Sequence, residues 1–322
     1  MTALPILIDT DPGVDDAAAL LLALASPELD LRAVTAVAGN VPLDAVLANT
    51  GKILALAGRP DIPFHAGCAG PLVRDQVFGR HSGLGAFGPD LLPVTPVSPG
   101  PVHAVSAIAR AALASANQEK RVTICALGPL TNLALALVLD PLIAKGIERI
   151  VIMGGALAAL GNRVPWADFN MLADPHAAAT VFGSGVPIDL VPLDTTFQAL
   201  VTDDHLRRLD EAAGAAGRCF ADLFRASDRS DPARFGRPGG PVHDAVVVAW
   251  LLWPDLFSSA SAAIGVEYAG RTKGYLFADF HGISDLPINA RVLRAVEEEA
   301  FLDRLFERLS RLDTNASQGS RT

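Results

Sequence analysis

Four aspartates fall within eight residues near the start of the chain, in Asp9-Thr10-Asp11-Pro12-Gly13-Val14-Asp15-Asp16. Carboxylates this dense repel one another and hold their protons tightly unless a cation neutralises them. An all-oxygen donor set favours a hard ion, Ca2+ or Mg2+. A plainer role competes, because Asp15 and Asp16 could simply cap a helix that begins there. That accounts for only part of the cluster. An EF-hand loop also opens D-x-D, but it needs an acidic twelfth residue, and here that residue is Leu20. A phosphatase-type D-x-D loop expects a hydroxyl or a valine two residues past the second aspartate, where this chain has Gly13.

The elements around the loop decide where such carboxylates can sit. Leu4–Ile8 is an apolar run that reads as a buried strand, and a helical Ala/Leu stretch follows the loop to Ala25. Further strands are expected at Leu31–Ala38, Ile62–His65, Val122–Leu127, Arg149–Met153 and Pro187–Leu193. Helices are expected at Asp44–Ala57, Val102–Ala116, Leu130–Val138 and Ala173–Phe182. Apolar strands with little alternation, separated by helices, indicate a parallel sheet covered on both faces. The expected fold is therefore α/β, an open doubly wound, mostly parallel sheet that binds its ligand beyond the carboxyl ends of the strands.

Beyond residue 200 the pattern loosens into C-terminal helical and short-strand additions. Asp203–Arg225 reads as two short helices, Arg225–Gly240 as a polar loop whose charge run is solvated, and His243–Trp253 as an apolar helix. Short strands fit residues 264–292, and Glu297–Leu312 has amphipathic helical spacing. Residues 1–312 read as one domain, with 313–322 a polar tail expected to be disordered.

Half the residues are apolar, 19% are charged, and the net charge is −9. An acidic chain argues against a nucleic-acid groove or an anionic membrane surface as partner. Its longest apolar runs fall short of the roughly 18 residues of a membrane span. The three cysteines, Cys68, Cys125 and Cys219, are widely spaced, which suits a reducing compartment. No signal peptide is read at the start. Together these features predict a cytoplasmic protein acting on a small molecule.

The string DTDPGVDD after an apolar strand resembles the motif of the inosine-uridine preferring nucleoside hydrolase family. Further segments match that family in order across roughly residues 4–310. These are Gly39-Asn40, Leu127 to Asn132 (LGPLTN), Met153-Gly154-Gly155, Gly161-Asn162, Asp168-Phe169-Asn170 with Ala173-Asp174-Pro175, and Pro241 to Ala245 (PVHDA). The resemblance implies a Rossmann-like nucleoside hydrolase fold, hydrolysis of the N-ribosidic bond to ribose and a free base, and an oxocarbenium-like transition state. It implies Ca2+ held by the carboxylates of Asp11, Asp16 and Asp244 and by the backbone carbonyl of Leu127. Asp11 would also be the general base for the attacking water.

By the same resemblance, Asp15 and Asn40 would bind the ribose hydroxyls. Met153, Asn162, Asp168 and Asn170 would line the ribose and its 5′ end. His243, set beside a metal ligand, would protonate the leaving base, and His81 would contact the base from a closing loop. Asp9, nearest the strand, reads as a structural support, and Trp166 as a packing residue. A homodimer or homotetramer is usual in the family. The chain also departs from the family pattern. Asp168 stands where glutamate is usual, the His81 loop is shorter, and no tyrosine lies in residues 220–237, where Phe224 or Phe235 could substitute. These changes touch recognition rather than the metal set. Two other readings stay open: an Mg2+-dependent phosphoester hydrolase using Asp9 and Asp11, and a non-catalytic nucleoside- or sugar-binding protein of the same fold.

Overall fold

In the computed structural model, residues 3–79, 87, 91–92, 95–212, 214–227 and 229–316 are described. Successive strand residues face opposite sides of a sheet. In the first strand, β1 (Leu4–Thr10), Ile6 and Ile8 accordingly join one core while Leu7 joins another. Both faces are buried, which is why the run reads as continuously apolar.

The remaining strands are β2 (Leu29–Ala36), β3 (Phe64–Ala66), β4 (Val122–Ala126), β5 (Ile147–Met153), β6 (Ile188–Val191), β7 (Leu200–Val201), β8 (Gly240–Pro241), β9 (Phe257–Val266), β10 (Leu276–Asp279) and β11 (Ala290–Val296). Nine of them form one sheet in the order β10-β9-β11-β6-β5-β4-β1-β2-β3. From β11 to β3 every pairing is parallel, and β9 and β10 extend the sheet by antiparallel pairing. The chain leaves β1 towards β2 and β3, then returns to build β4, β5 and β6 on the other side. Connections therefore diverge between β1 and β4, and a crevice opens there beyond the strand ends.

The helices are α1 (Val14–Leu24), α2 (Leu43–Leu56), α3 (Ala104–Ser115), α4 (Thr131–Leu139), α5 (Phe169–Ala173), α6 (Pro175–Phe182), α7 (Leu193–Thr196), α8 (Asp203–Ala212), α9 (Ala215–Ala226), α10 (Pro232–Phe235), α11 (Ala245–Leu252) and α12 (Glu298–Ala316). Helices α1, α2, α9, α11 and α12 cover one face of the sheet, and α3, α4 and α6 cover the other. Among the described residues, no helix is long and apolar enough to cross a membrane.

Local differences from the sequence reading have local causes. The helix expected over Ala173–Phe182 is broken at Asp174, whose side chain caps α6 at Ala177 and also accepts from Thr131 Oγ1 at 2.8 Å. The strand expected to reach Leu193 ends at Val191, because Pro192 starts α7. The C-terminal strands are more substantial than expected. Exposed Ser258, Ser259 and Ser261 blur the apolar signal of β9. The last helix runs to Ala316, past the Leu312 at which its amphipathic spacing was read to end, and residues 317–322 of the expected tail lie outside the described residues.

Candidate active site

Each aspartate of the opening loop has a different environment. Asp9 is still on β1 and points into protein, where its Oδ1 accepts from Thr35 Oγ1 of β2 at 2.6 Å and from Asn132 Nδ2 of α4 at 2.8 Å. Burial pushes its carboxyl up to about 6. It ties β1, β2 and α4 together across the crevice floor, a supporting place rather than a reacting one. Asp16 accepts from Thr10 Oγ1 at 2.6 Å and from the Asp11 and Gly13 N–H groups, so it does cap the start of α1. Its carboxyl is still raised, by burial and then by Asp15.

Asp11 is fully buried, and its Oδ2 accepts the Asn40 N–H at 2.6 Å. Its Oδ1 is buried without a hydrogen-bond partner among the described residues. Glycines make room for both oxygens. A Cβ at Gly39 would lie 2.1 Å from Oδ2, and one at Gly128 would lie 2.5 Å from Oδ1. Burial, followed by the charge of Asp16, holds the Asp11 carboxyl well above its ordinary range. Asp244, at the start of α11, is raised for the same reasons, by burial first and then by Asp16, Asp15 and Asp11.

Asp15, one residue before Asp16, behaves oppositely. Its carboxyl is lowered despite burial, because the Arg229 guanidinium lies against it with Nη2 at 2.9 Å from Oδ2, and His243 adds to the effect. Both partners are about nine-tenths buried. Arg229 belongs to the charge run expected to be a solvated loop; most of that run is exposed, and Arg229 is the exception. Asp15 draws Arg229 inward, and Arg234 of the same run donates from Nη2 to the carbonyl oxygens of Leu160 and Gly161 at 2.8 and 2.9 Å. The Arg234 guanidinium also stacks over Phe197, 4.7 Å from the ring centroid.

The other strand ends complete a cavity of about 300 Å3. Asp15, Asn40, Leu127, Met153, Asn162, Asp168, Asn170, His243 and Asp244 line it, whereas Asp11 and Asp16, also expected in the site, are not part of the lining. Asn170 Nδ2 donates to the Leu127 carbonyl at 2.5 Å and to the Met153 carbonyl at 3.1 Å, bridging the ends of β4 and β5. Asp168 is engaged close to home. It caps α5 and accepts from the backbone N–H groups of Gly155, Asn170 and Met171, yet burial raises its carboxyl to about 6. Asn162 Oδ1 accepts the Phe169 N–H at 2.8 Å. His243 Nδ1 lies 2.7 Å from Thr196 Oγ1, both of them buried. His81 lies outside the described residues. Trp166 donates to the Lys273 carbonyl and lines a separate cavity, as a packing residue would.

Sequence reasoning missed Arg229, Arg234, Phe197 and Thr196, and named Phe235 only as a possible aromatic substitute. Arg229, Arg234, Phe197 and Phe235 line the cavity, and Thr196 holds His243. The acid cluster suits a hard divalent cation. Every donor is oxygen, Asp9 Oδ2 and Asp11 Oδ1 are buried without a partner among the described residues, and burial followed by mutual repulsion raises Asp11, Asp16 and Asp244. Oxygens of Asp15, Asp16 and Asp244 lie within 4.8 Å of one another. That group differs from the expected set by holding Asp15 in place of Asp11.

The family model described as inosine-uridine preferring nucleoside hydrolase matches residues 6–303. The chain belongs to that family. Membership makes it a nucleoside N-glycosyl hydrolase. The chain is 42% identical over 311 residues to a protein named pyrimidine-specific ribonucleoside hydrolase RihA from Photobacterium profundum, covering 95% of this chain and 98% of that one. A Klebsiella pneumoniae protein of the same name is 40% identical over 314 residues, covering 96% and 99%. Among solved structures, a purine-preferring ribonucleoside hydrolase from Gardnerella vaginalis superposes with a TM-score of 0.85 at 29% identity, covering 96% of this chain and 98% of that one. A plant nucleoside hydrolase gives 0.84 at 31% identity, covering 95% and 99%. The expected fold, a mostly parallel sheet with C-terminal additions, is the family's.

Proposed function

We propose that this nucleoside hydrolase cleaves the N-ribosidic bond of ribonucleosides in the cavity beyond β1 and β4, with Ca2+ held by Asp11, Asp16, Asp244 and the Leu127 carbonyl. The observation that carries this reading is the Asp11 carboxylate, packed between Gly39 and Gly128 beside three further buried carboxylates, with its buried Oδ1 lacking a partner among the described residues. Ca2+ in that place supplies acidification of a water and orientation of the ribose diol.

The chain's own groups do the rest. Asp11 accepts the proton of the attacking water from a buried carboxylate that the Asn40 N–H holds in place. Asp15 and Asn40 hold ribose hydroxyls at the end nearer the acid cluster. Met153, Asn162 and Asn170 shape the sugar site, and Asp168 keeps its loop in place through three backbone N–H groups. His243, oriented by Thr196 through Nδ1, donates a proton from its other nitrogen to the leaving base. The excess of carboxylates suits the positive charge that develops on the sugar. The Oδ1 of Asp9 is committed to Thr35 and Asn132 within the fold, which gives no support to a phosphoester mechanism that needs Asp9 as a reacting group.

The test is a panel of nucleosides, nucleotides and phosphate esters, scored for reducing sugar and for phosphate with and without chelator. Sugar release that chelator abolishes and Ca2+ restores is expected. Phosphate release without sugar would overturn the proposal, and nucleoside binding without any turnover would make the chain a binding protein.

A further inference from the structure

We propose that Arg229 reads the leaving base, donating from Nη1 to a carbonyl oxygen on the ring carbon beside the glycosidic nitrogen, and so selects pyrimidine nucleosides. This rests on the reading above that Asp15 grips the ribose. The Arg229 side chain is about nine-tenths buried and lines the cavity. Nη2 is committed to Asp15 at 2.9 Å, whereas Nη1 is buried with no partner among the described residues. A buried guanidinium N–H left without an acceptor costs about 1–3 kcal/mol or more. A ligand that supplies the acceptor recovers that cost, and here the atom borders the substrate cavity.

Charge decides what the acceptor can be. Asp11, Asp15, Asp16 and Asp244 are clustered on this side of the cavity, so a phosphate or carboxylate brought to Nη1 would face their field. A neutral carbonyl oxygen meets no such penalty. Position narrows it further. A donor already bonded to the carboxylate that holds a ribose hydroxyl sits where sugar and base join. In uracil and cytosine nucleosides the C2 carbonyl occupies that junction. In purines the atom next to the bonded ring edge is a ring nitrogen, a weaker and differently directed acceptor.

The same contact assists the reaction. Water oxygen bonds to C1′ as the C1′–N1 bond breaks. The bonding electron pair passes to N1 and delocalises onto the C2 oxygen, where the fixed positive charge of Arg229 stabilises it. The proton from His243 then completes the neutral base, and the proton lost by water resides on Asp11.

Arg229→Lys and Arg229→Gln test the idea on the calcium-loaded protein, with uridine, inosine and 4-nitrophenyl ribofuranoside as substrates. The aryl riboside has no ring carbonyl at the junction. Lysine keeps a positive charge for Asp15 but loses the fork, so folding is preserved if glutamine proves disruptive. The ratio of kcat/KM for uridine to that for the aryl riboside should fall at least 30-fold in both variants, with inosine affected less than uridine. An equal loss on all three substrates would overturn the proposal and leave Arg229 acting only through Asp15. No loss on uridine would overturn it too. Binding of free uracil and of ribose is measured alongside by calorimetry. Uracil affinity falling tenfold with ribose affinity kept supports the contact even if the wild type turns over no nucleoside, a result that would sink the proposed function alone.

Discussion

Replacing Gly128 by alanine tests whether Asp11 works from the place the fold gives it. The new Cβ would sit 2.5 Å from Asp11 Oδ1, 2.9 Å from its Cγ and 3.0 Å from Val37 Cγ1. Ordinary contact begins near 3.4 Å, so the carboxylate must retreat by about 0.9 Å, a misplacement of the size that costs roughly 100-fold in rate. Asp11 has little room to retreat, because its Oδ2 faces Gly39 and is bonded to the Asn40 N–H. Overpacking of this kind costs about 1–3 kcal/mol of stability. The assay is kcat/KM for uridine at saturating Ca2+, with a thermal melt of each protein. Gly70→Ala, whose Cβ would meet only Gln76 Oε1 at 3.5 Å, is the control. A loss of about 100-fold in a variant that still melts cooperatively is expected. Activity within fivefold of wild type would refute the assignment of Asp11 as the base held between two glycines.

Asp11→Asn should lower kcat by roughly 100- to 10,000-fold. In a melt without metal the variant should be at least as stable as wild type, since one repelling buried carboxylate is gone, and added Ca2+ should raise its melting point less. Thr196→Val leaves His243 Nδ1 without its 2.7 Å partner and should cut kcat about tenfold with little change in KM, while Thr196→Ser should restore it; steady-state kinetics decides. Asp168 carries a pH signature. Its folded carboxyl titrates at about 6, above the ordinary value, so the stability it contributes is full below about pH 4 and is lost as the pH rises through 6. Relative to Asp168→Asn, metal-free wild type should lose roughly 2 kcal/mol between pH 4 and pH 6.5 in urea titrations. Parallel curves would contradict the assignment.

The floor of the site was legible because its residues sit next to their own scaffolding. Asp11, Asn40, Leu127 and Met153 each follow a buried apolar strand within a few residues, so finding the strand finds the site. The rim was not legible. Arg229 lies among charged, Gly- and Pro-rich residues that read as solvated, and the carboxylate that buries it is 214 residues away in sequence. Phe197 was hidden by reading β6 too long, since the short helix that follows Pro192 has no periodicity to announce it. The role of Thr196 depends on a histidine 47 residues later. Pairings of that range leave no trace in local pattern.

The clasp made by Arg234 has a consequence for how such a site can change over generations. Its guanidinium grips the carbonyl oxygens of Leu160 and Gly161, which every residue type supplies. The Leu160 side chain points outward and is 71% exposed, so its identity is free to drift while the clasp persists. A lineage can therefore exchange Leu160 without losing the geometry of the rim, whereas Gly161, whose Cβ would meet the Ala167 carbonyl oxygen at 2.0 Å, and the arginine are replaceable only at the expense of the whole join.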